Sequence, residues 1–300
     1  MRKLFAFIFI FSMACSGPTK SGKPTIAVTI LPQKYFVEQL AGDLVTVNVL
    51  VPPGASPELY SLMPSQMTGL SSTLAWIGIG KIGFEEGWVD KIRESNPNLK
   101  YFDSSAQADW IAGKEEVHGD HVHLHGVDPH IWSAPDEVKK LVNETYKALV
   151  QVLPEHRELL LANHNRFQTE IDSLDADLKA TFEKLPSKKF LIFHPSLTYL
   201  ARQYGLEQVA MEIDGKEPSP KHLKELAEIA KNENIKAIFV QKEFNMENAR
   251  QMAREIGGEV IQIDPLNEIG PMNCERSRQK SPMQNNCSKI VAARNDQQPE

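Results

Sequence analysis

Short apolar runs rich in β-branched residues recur along the chain and alternate with amphipathic stretches, and this rhythm limits the possible folds more than any other feature. The runs lie at residues 25–30, 45–51, 74–79, 190–193, 236–240 and 259–263. Such runs predict buried strands, and helical stretches such as 33–40 and 221–231 lie between them. Strands that alternate with helices favour mostly parallel sheets built from βαβ units, so we predict an α/β fold.

One region interrupts this rhythm. Residues 135–185 show no strand signal, only apolar residues at helical spacing, which predicts a helix at about 136–152 and a longer one at about 155–184. A chain of 300 residues exceeds what one hydrophobic core usually organises. We therefore predict an N-terminal α/β lobe at 24–135, linking helices at 136–185 and a C-terminal α/β lobe at 186–267. A long backbone helix between two lobes would leave a cleft for a ligand.

The first residues have the layout of a secretory signal. Arg2 and Lys3 precede an unbroken apolar stretch at 4–11, and small residues follow up to Cys15. We predict a signal peptide at 1–14, lipidation of Cys15 and a tether at 15–23, although Ser12 stands where a lipobox usually has Leu. A plain signal peptide that happens to contain a cysteine is the alternative. The protein is then expected in the cell envelope, held by its lipid on the periplasmic or extracellular side of a membrane.

The charge of the chain argues against nucleic acid as a partner. Removal of Arg2 and Lys3 with the signal takes the formal net charge from −6 to −8. An acidic surface repels phosphates and mildly favours the gathering of cations. Besides Cys15, the sequence contains only Cys274 and Cys287. A metal site in the body of the chain must therefore use histidines and carboxylates.

Histidines are concentrated in the polar, glycine-bracketed segment 114–126. This segment has no helical or strand period, and acidic residues are interleaved with its histidines, which are His118, His121, His123 and His125. His-rich tracts are typical of metal binding. We predict a loop that holds auxiliary metal ions, with a solvated loop of no function as the alternative.

A second set of residues follows predicted strands. Glu58 lies in the loop after the run 45–51, and His130 lies at the end of the first half. His194 and Asp264 come directly after the runs 190–193 and 259–263. Ligands of open α/β sheets bind beyond the carboxyl ends of the strands. The positions of these four residues predict that they converge in one cleft as metal ligands.

Several motifs in order along residues 24–267 resemble the zinc- and manganese-binding solute receptors of ABC transporters (the ZnuA/TroA-like family). They are Val-Pro-Pro-Gly-Ala-Ser-Pro at 51–57, Pro-Ser-Gln at 64–66, Asp-Pro-His-Ile-Trp at 128–132, the segment 194–206, Glu-Pro-Ser-Pro at 217–220 and Ile-Asp-Pro-Leu at 263–266. The resemblance implies two α/β lobes joined by a long backbone helix, with the metal in the interlobe cleft. It also implies that His130, His194 and Asp264 are ligands. Glu58 stands where most relatives have a His, and Gln241 stands where a Glu is common.

The resemblance implies a receptor that captures Zn²⁺ and delivers it to an ABC permease, and we expect a monomer that is not an enzyme. Four ligands saturate a tetrahedral Zn²⁺ and leave no position for an activated water. A receptor for manganese or iron is the first alternative, because two His and two carboxylates are harder ligands than three His and one carboxylate. A zinc-dependent hydrolase, with Glu58 as its general base, and an adhesin on the same scaffold are further alternatives.

The last residues depart from this pattern. The resemblance stops near Asn267, and residues 268–300 contain Pro271, Pro282 and no sustained apolar stripe before Ile290. We predict a disordered tail for 268–300 and interpret it as the product of a shifted reading frame.

Overall fold

The N-terminal lobe is built on a four-stranded parallel sheet. The computed structural model describes residues 22–113, 115–118, 121–124, 126–185, 188–213 and 216–267. The strands of this sheet are β1 (Thr25–Val28), β2 (Thr46–Val49), β3 (Ala75–Gly78) and β4 (Lys100–Asp103), and its helices are α1 (Leu31–Ala41), α2 (Pro64–Leu70) and α3 (Gly83–Ser95). The strand order is β2-β1-β3-β4. The central strands β1 and β3 are almost wholly buried, as their apolar runs predict for a parallel sheet covered on both faces.

The His-rich segment contains a two-stranded antiparallel ladder, which corrects the prediction of a loop without strand structure. Strands β5 (Glu115–His118) and β6 (His121–Leu124) pair with each other, and a bridge between Ala112 and Val127 lies at their base. Main-chain N–H and C=O groups form such a ladder whatever the side chains are, so no apolar alternation is required. The side chains of residues 114–125 lie outside the described residues.

Two helices connect the lobes. Helix α4 (Pro135–Val152) and helix α5 (Arg157–Glu183) are separated by a 3₁₀ turn at Pro154–His156 and lie where the helical spacing predicts them. With 27 residues, α5 is about 40 Å long. Phe167 belongs to the core of the N-terminal lobe and Phe182 to that of the C-terminal lobe, so one helix is shared by both cores. None of the described helices combines the length and apolar character that a bilayer crossing requires.

The C-terminal lobe repeats the architecture of the first. Its strands are β7 (Lys189–Ile192), β8 (Glu207–Ala210), β9 (Ala237–Gln241) and β10 (Glu259–Ile263), and its helices are α6 (Thr198–Tyr204), α7 (Pro220–Asn232) and α8 (Glu247–Ile256). All strands are parallel, in the order β10-β9-β7-β8. The carboxyl ends of β7 and β9 face the cleft between the lobes, which is where the predicted ligand His194 lies.

Polar contacts join the lobes beside the cleft. Tyr199 of α6 is buried in the core of the N-terminal lobe, and its hydroxyl donates to the Asp128 carbonyl at 2.7 Å. The Trp132 indole N–H donates to the Pro265 carbonyl at 3.2 Å. These contacts and the shared helix α5 hold the lobes together in this conformation.

A buried carboxylate ties the end of β3 to the start of α3. Glu85 accepts hydrogen bonds from the Ile79 N–H at 2.6 Å, the Gly80 N–H at 3.0 Å and the Tyr101 hydroxyl at 3.0 Å, and it also contacts the Thr29 hydroxyl. Its side chain is completely buried. Burial raises the pKa of Glu85 to about 7, because the loss of hydration outweighs these hydrogen bonds.

Replacement of Glu85 by Gln should change how stability depends on pH. The folded protein holds this proton more tightly than the unfolded chain, so the stabilisation is fully present below about pH 4.5 and is lost as the pH rises to about 7. Over that window the wild type should lose about 3 kcal/mol of unfolding free energy relative to Glu85→Gln. Urea denaturation at several pH values measures this difference, with the exposed Glu86→Gln as control. If the free energy of unfolding depended on pH in the same way for the wild type and Glu85→Gln, the prediction would be wrong.

Candidate metal centre

His130 is fixed by a short turn at the end of the N-terminal lobe. The Asp128 carboxylate accepts hydrogen bonds from the His130 backbone N–H at 2.9 Å and from the ring Nδ1 at 2.8 Å. Pro129 between them restricts the backbone of this turn. The residue is only 8% exposed and its ring packs against Trp132. The Nε2 atom is therefore held in one direction, toward the cleft.

The backbone of His194 is clamped by the neighbouring strand. Gln241, the last residue of β9, accepts a hydrogen bond from the His194 N–H at 3.3 Å and donates to the His194 carbonyl at 2.6 Å. Its amide nitrogen also donates to the Ser196 hydroxyl at 2.7 Å. An amide accepts and donates at once, whereas a carboxylate at this position could not donate to a carbonyl. Gln241 thus suits this backbone better than a Glu would.

The ring of His194 is oriented from two sides. Phe244 stacks on it, with ring centroids 5.2 Å apart and planes at 25°. Glu212, which follows β8 and is almost buried, places its Oε1 2.7 Å from Nδ1 of His194. A carboxylate at Nδ1 keeps the proton there, so Nε2 presents its lone pair to the cleft. Asp128 does the same for His130.

Glu58 reaches the cleft from the loop between β2 and α2. The Phe84 N–H donates to the Pro57 carbonyl at 2.9 Å and so ties this loop to α3. Gly83 approaches the loop so closely that a Cβ atom there would lie 2.6 Å from the Glu58 carbonyl oxygen. The Glu58 side chain is 41% exposed, against 10% for that of His130, so it lies at the mouth of the site.

Glu58, His130 and His194 converge on one point between the lobes. The two Nε2 atoms are 3.2 Å apart, and Glu58 Oε1 lies 3.7 Å from the Nε2 of His130 and 3.9 Å from that of His194. Two nitrogens bound to a tetrahedral Zn²⁺ at about 2.0–2.1 Å are roughly 3.3 Å apart. The observed spacing fits bonds to one small divalent ion. The three residues line a cavity of about 40 Å³, which has room for an ion and little else.

Negative charge surrounds the two imidazoles. Burial alone would lower the pKa of His194, but the hydrogen bond and charge of Glu212, followed by the charge of Glu58, outweigh it and raise the pKa above its ordinary value. Burial alone would raise the pKa of Asp128, but its hydrogen bond with His130 holds that pKa below the ordinary value. The site therefore favours a positive charge at its centre, whether a proton or a metal ion.

Asp264 is the fourth predicted ligand, and the structure does not bring it to this point. Among the described residues, the possible ligand atoms that lie within 4.8 Å of one another belong to Glu58, His130 and His194. Asp264 borders a neighbouring cavity of about 250 Å³, where its Oδ2 accepts a hydrogen bond from Lys242 Nζ at 2.6 Å. The carboxylate would have to leave Lys242 to reach the ion. Its role as a ligand stays a prediction.

The two carboxylates that orient the histidines, Asp128 and Glu212, were not predicted from the sequence. Asp128 stands two residues before His130 in a motif that was noticed only for its histidine. Glu212 lies two residues beyond β8, an edge strand whose polar sequence gives no apolar run. The rule that places site residues at strand ends would have found Glu212 if β8 had been recognised.

Other predicted residues lie outside the described part of the chain. Cys15 precedes it. Only backbone is described for His118, His121 and His123, and His125 is not described. The signal peptide at 1–14 and the disordered tail at 268–300 also lie outside the described residues. Together with the lipid anchor and the auxiliary metal loop, they stay predictions.

Comparison with known proteins agrees with the motifs. A family model described as the periplasmic zinc-uptake complex component A, ZnuA, matches residues 26–293. The high-affinity zinc uptake system protein ZnuA of Bacillus subtilis is 26% identical over 279 residues, which cover 88% of this chain and 87% of that protein. The zinc-binding lipoprotein AdcA of Streptococcus pneumoniae is 28% identical over 270 residues. That match covers 87% of this chain and 54% of AdcA, so the chain spans about half the length of that relative.

Solved structures agree with the fold. A crystal structure of ZnuA has a TM-score of 0.80 and 34% identity and covers 91% of this chain and 100% of that chain. A ZnuA deletion mutant with zinc bound has a TM-score of 0.79 and 35% identity and covers 91% and 98%. These structures share the two parallel-sheet lobes and the long helix. Because the family model matches nearly the whole chain, the protein belongs to the ZnuA family, the periplasmic component A of zinc-uptake complexes.

Proposed function

We propose that this protein captures Zn²⁺ outside the cytoplasm and delivers it to the permease of an ABC transporter. The observation that carries the proposal is the convergence of Glu58, His130 and His194 on one small cavity between the lobes. Both imidazoles have a carboxylate at Nδ1, an arrangement typical of histidines that bind zinc through Nε2. Relatives with this fold are named as zinc uptake and zinc-binding proteins.

The donor set favours zinc over manganese. Two imidazole nitrogens and one carboxylate oxygen suit a tetrahedral ion, and the spacing of the nitrogens fits that geometry. Affinity at such a site also rises from Mn²⁺ to Zn²⁺. Glu58 supplies a carboxylate where a third imidazole would be a softer donor. This harder donor set reduces the preference of the site for Zn²⁺ over Mn²⁺. Manganese or iron therefore remains the alternative cargo.

The protein is a receptor and not an enzyme, since its family is a component of uptake complexes. The hydrolase alternative would need a free general base beside the metal. The two carboxylates closest to the imidazoles, Asp128 and Glu212, are engaged with ring Nδ1 atoms. Glu58 lies where a ligand is needed. This arrangement supports capture of an ion more than activation of a water molecule.

The division of the ligands between the lobes supports a mechanism of release. Glu58 and His130 belong to the N-terminal lobe, and His194 belongs to the C-terminal lobe. A relative shift of the lobes by an ångström or two on the permease would break the bonds to His194, because metal–ligand bonds of about 2 Å tolerate little stretching. We expect the receptor to act as a monomer.

Zinc binding should depend on Glu58. Glu58→Ala removes one of three donors and the nearest negative charge, so the affinity for Zn²⁺ should fall by roughly 100-fold or more. Glu58→His replaces the carboxylate with a nitrogen donor. This variant should retain its affinity for Zn²⁺ but bind Mn²⁺ more weakly than the wild type does. Chelator competition with each metal measures both effects, and the exposed Glu86→Ala serves as control. A wild type that binds no Zn²⁺ would refute the function, and a Glu58→Ala protein with wild-type affinities would remove Glu58 from the ligands.

Glu212 should control how zinc competes with protons. The raised pKa of His194 keeps the ring protonated to a higher pH than an ordinary histidine, so zinc affinity should already fall as the pH drops through that raised value. Glu212→Gln lowers this pKa and also weakens the hold on the ring.

The variant should therefore bind zinc about tenfold more weakly at alkaline pH, where both proteins have a neutral His194, but should lose less affinity than the wild type as the pH falls. Titrations of zinc at several pH values measure both effects. Glu207→Gln, an exposed change at the other end of β8, is the control. If Glu212→Gln weakened the affinity for zinc by the same factor at every pH, protons would not compete with zinc at His194.

Anchoring should depend on Cys15. If a lipid on this residue holds the protein at the membrane, Cys15→Ala should move it from the membrane pellet to the soluble fraction or leave it unprocessed, because stable anchoring needs acyl chains. Fractionation with detergent-phase partitioning tests this, with Cys274→Ala as a matched control. A soluble wild-type protein cleaved elsewhere would show that Cys15 is not lipidated.

A further inference from the structure

The loop that carries Glu58 is attached to the first turn of α3. The Phe84 N–H of this turn donates to the Pro57 carbonyl at 2.9 Å, directly before Glu58 in the chain. Gly83 packs against the next peptide, where a Cβ atom would lie 2.6 Å from the Glu58 carbonyl oxygen and 3.2 Å from its Cα. The turn therefore contacts the backbone on both sides of the Glu58 Cα. A displacement of the turn would displace this residue of the metal site.

A buried carboxylate holds the turn in place. Glu85, two residues after Gly83, accepts the Ile79 N–H at Oε1, at 2.6 Å, and the Gly80 N–H at Oε2, at 3.0 Å. Its side chain is completely buried. The carboxylate thus connects the end of β3 to the start of α3 and fixes the place where the helix begins.

The chemistry at this position requires two acceptor atoms. Each carboxyl oxygen of Glu85 also receives one hydroxyl, that of Thr29 at Oε1 and that of Tyr101 at Oε2. A protonated carboxyl group serves as well, because its O–H can donate to one of these hydroxyls while its oxygens keep acceptor capacity. The amide of a glutamine does not, because its NH₂ group would face one of the two backbone N–H donors. A buried N–H without an acceptor is costly, so the turn would shift.

The same turn forms part of the wall of the metal cavity. Ile82 is 1% exposed and lines the cavity beside Glu58, and its N–H donates to the Gly80 carbonyl at 3.0 Å. Within the described part of the chain, Glu85 is not among the residues that line this cavity. Glu85 can therefore act on the ion through the backbone of residues 79–84 or through its charge, but not as a ligand.

We propose that Glu85 is a positioning residue for the metal site, which fixes the first turn of α3 and thereby places Glu58 within reach of the ion. The inference rests on the proposed function, because it concerns the same Zn²⁺. The side chain of Glu58 is 41% exposed and that of His130 is 10% exposed, so packing holds Glu58 less firmly and the place of its backbone matters more. Metal–ligand bonds of about 2 Å tolerate little stretching, so a small shift of the turn reduces affinity.

A double-mutant cycle on the purified protein tests whether Glu85 acts through Glu58. Zn²⁺ affinity is measured by chelator competition at one alkaline pH, and the visible absorption of bound Co²⁺ reports the coordination of the metal. Glu85→Gln should weaken Zn²⁺ binding by about tenfold and alter the Co²⁺ spectrum, because Glu58 is displaced. In the Glu58→Ala background the same change should alter Zn²⁺ affinity by less than about threefold and leave the Co²⁺ spectrum of that variant unchanged.

Two control variants separate positioning from charge and from stability. Glu86→Gln removes an exposed negative charge from the same turn and should bind Zn²⁺ as the wild type does. Val37→Ala leaves a cavity at a fully buried position of α1 in the same lobe. It should lower the free energy of unfolding without changing the Zn²⁺ affinity of the folded protein. Circular dichroism checks that each variant is folded.

Wild-type affinity in Glu85→Gln would overturn the proposal. An equal loss in the Glu58→Ala background would also overturn it, because Glu85 would then act by its charge or by general stability. So would wild-type affinity in Glu58→Ala, which would leave no ligand to position.

If Glu85→Gln does not fold, Gly83→Ala decides, because its Cβ would displace the Glu58 peptide from the same turn. A loss of affinity that disappears in the Glu58→Ala background supports the proposal, and wild-type affinity in folded Gly83→Ala overturns it. A wild type that binds no Zn²⁺ refutes the proposed function itself. A tightly binding wild type that Glu85→Gln does not weaken refutes only the positioning role.

Discussion

A single buried hydroxyl connects the two segments that carry the histidines. Tyr199 belongs to α6, which begins four residues after His194, and it donates to the carbonyl of Asp128, two residues before His130. It also accepts a hydrogen bond from the Ile111 N–H at 3.0 Å. Burial raises the pKa of Tyr199 to about 12, so the hydroxyl keeps its proton and continues to donate at any ordinary pH. Because folding sets this contact, the distance between the two imidazoles is largely fixed before an ion arrives, and binding avoids much of the entropic cost of ordering them.

The carboxylates behind the histidines have two opposing effects. Asp128 and Glu212 hold the rings and leave each Nε2 free to bind, which favours the metal. The charge of Glu212 also raises the pKa of His194, which favours a proton in the same place. A site with this balance favours the metal ion more as the pH rises and the proton more as the pH falls. Orientation by a buried amide instead of a carboxylate would remove the proton competition but would also reduce the attraction for a divalent cation.

The sequence predicted those features that depend on local pattern. The runs that became β1, β3, β7 and β9 are apolar because these strands are buried on both faces, and the helices α4 and α5 follow from apolar spacing. The edge strands β4 and β8 were missed because they are partly exposed and carry short sequences with polar residues at both ends of β4, Lys-Tyr-Phe-Asp, and at the first two positions of β8, Glu-Gln-Val-Ala. Three of the four predicted ligands, Glu58, His130 and His194, converge in the cleft, because each lies in a loop beside the end of a strand or the start of a helix there. Asp264 also follows a strand, but the choice between Lys242 and the metal is made by side-chain placement across two loops, which no periodicity encodes.

The ion pair between Lys242 and Asp264 bears on which metal the site would prefer. If Asp264 left Lys242 and joined Glu58, His130 and His194, two carboxylates and two imidazoles would surround the ion, and this harder donor set suits manganese better than the three converging donors do. While Asp264 pairs with Lys242, the donors that converge are two imidazoles and one carboxylate, a composition that suits a tetrahedral Zn²⁺. The lysine side chain of this pair is exposed, so solvent screens the interaction and weakens it. The preference between zinc and manganese would therefore depend on whether Asp264 exchanges Lys242 for the ion, as well as on the donors that already converge.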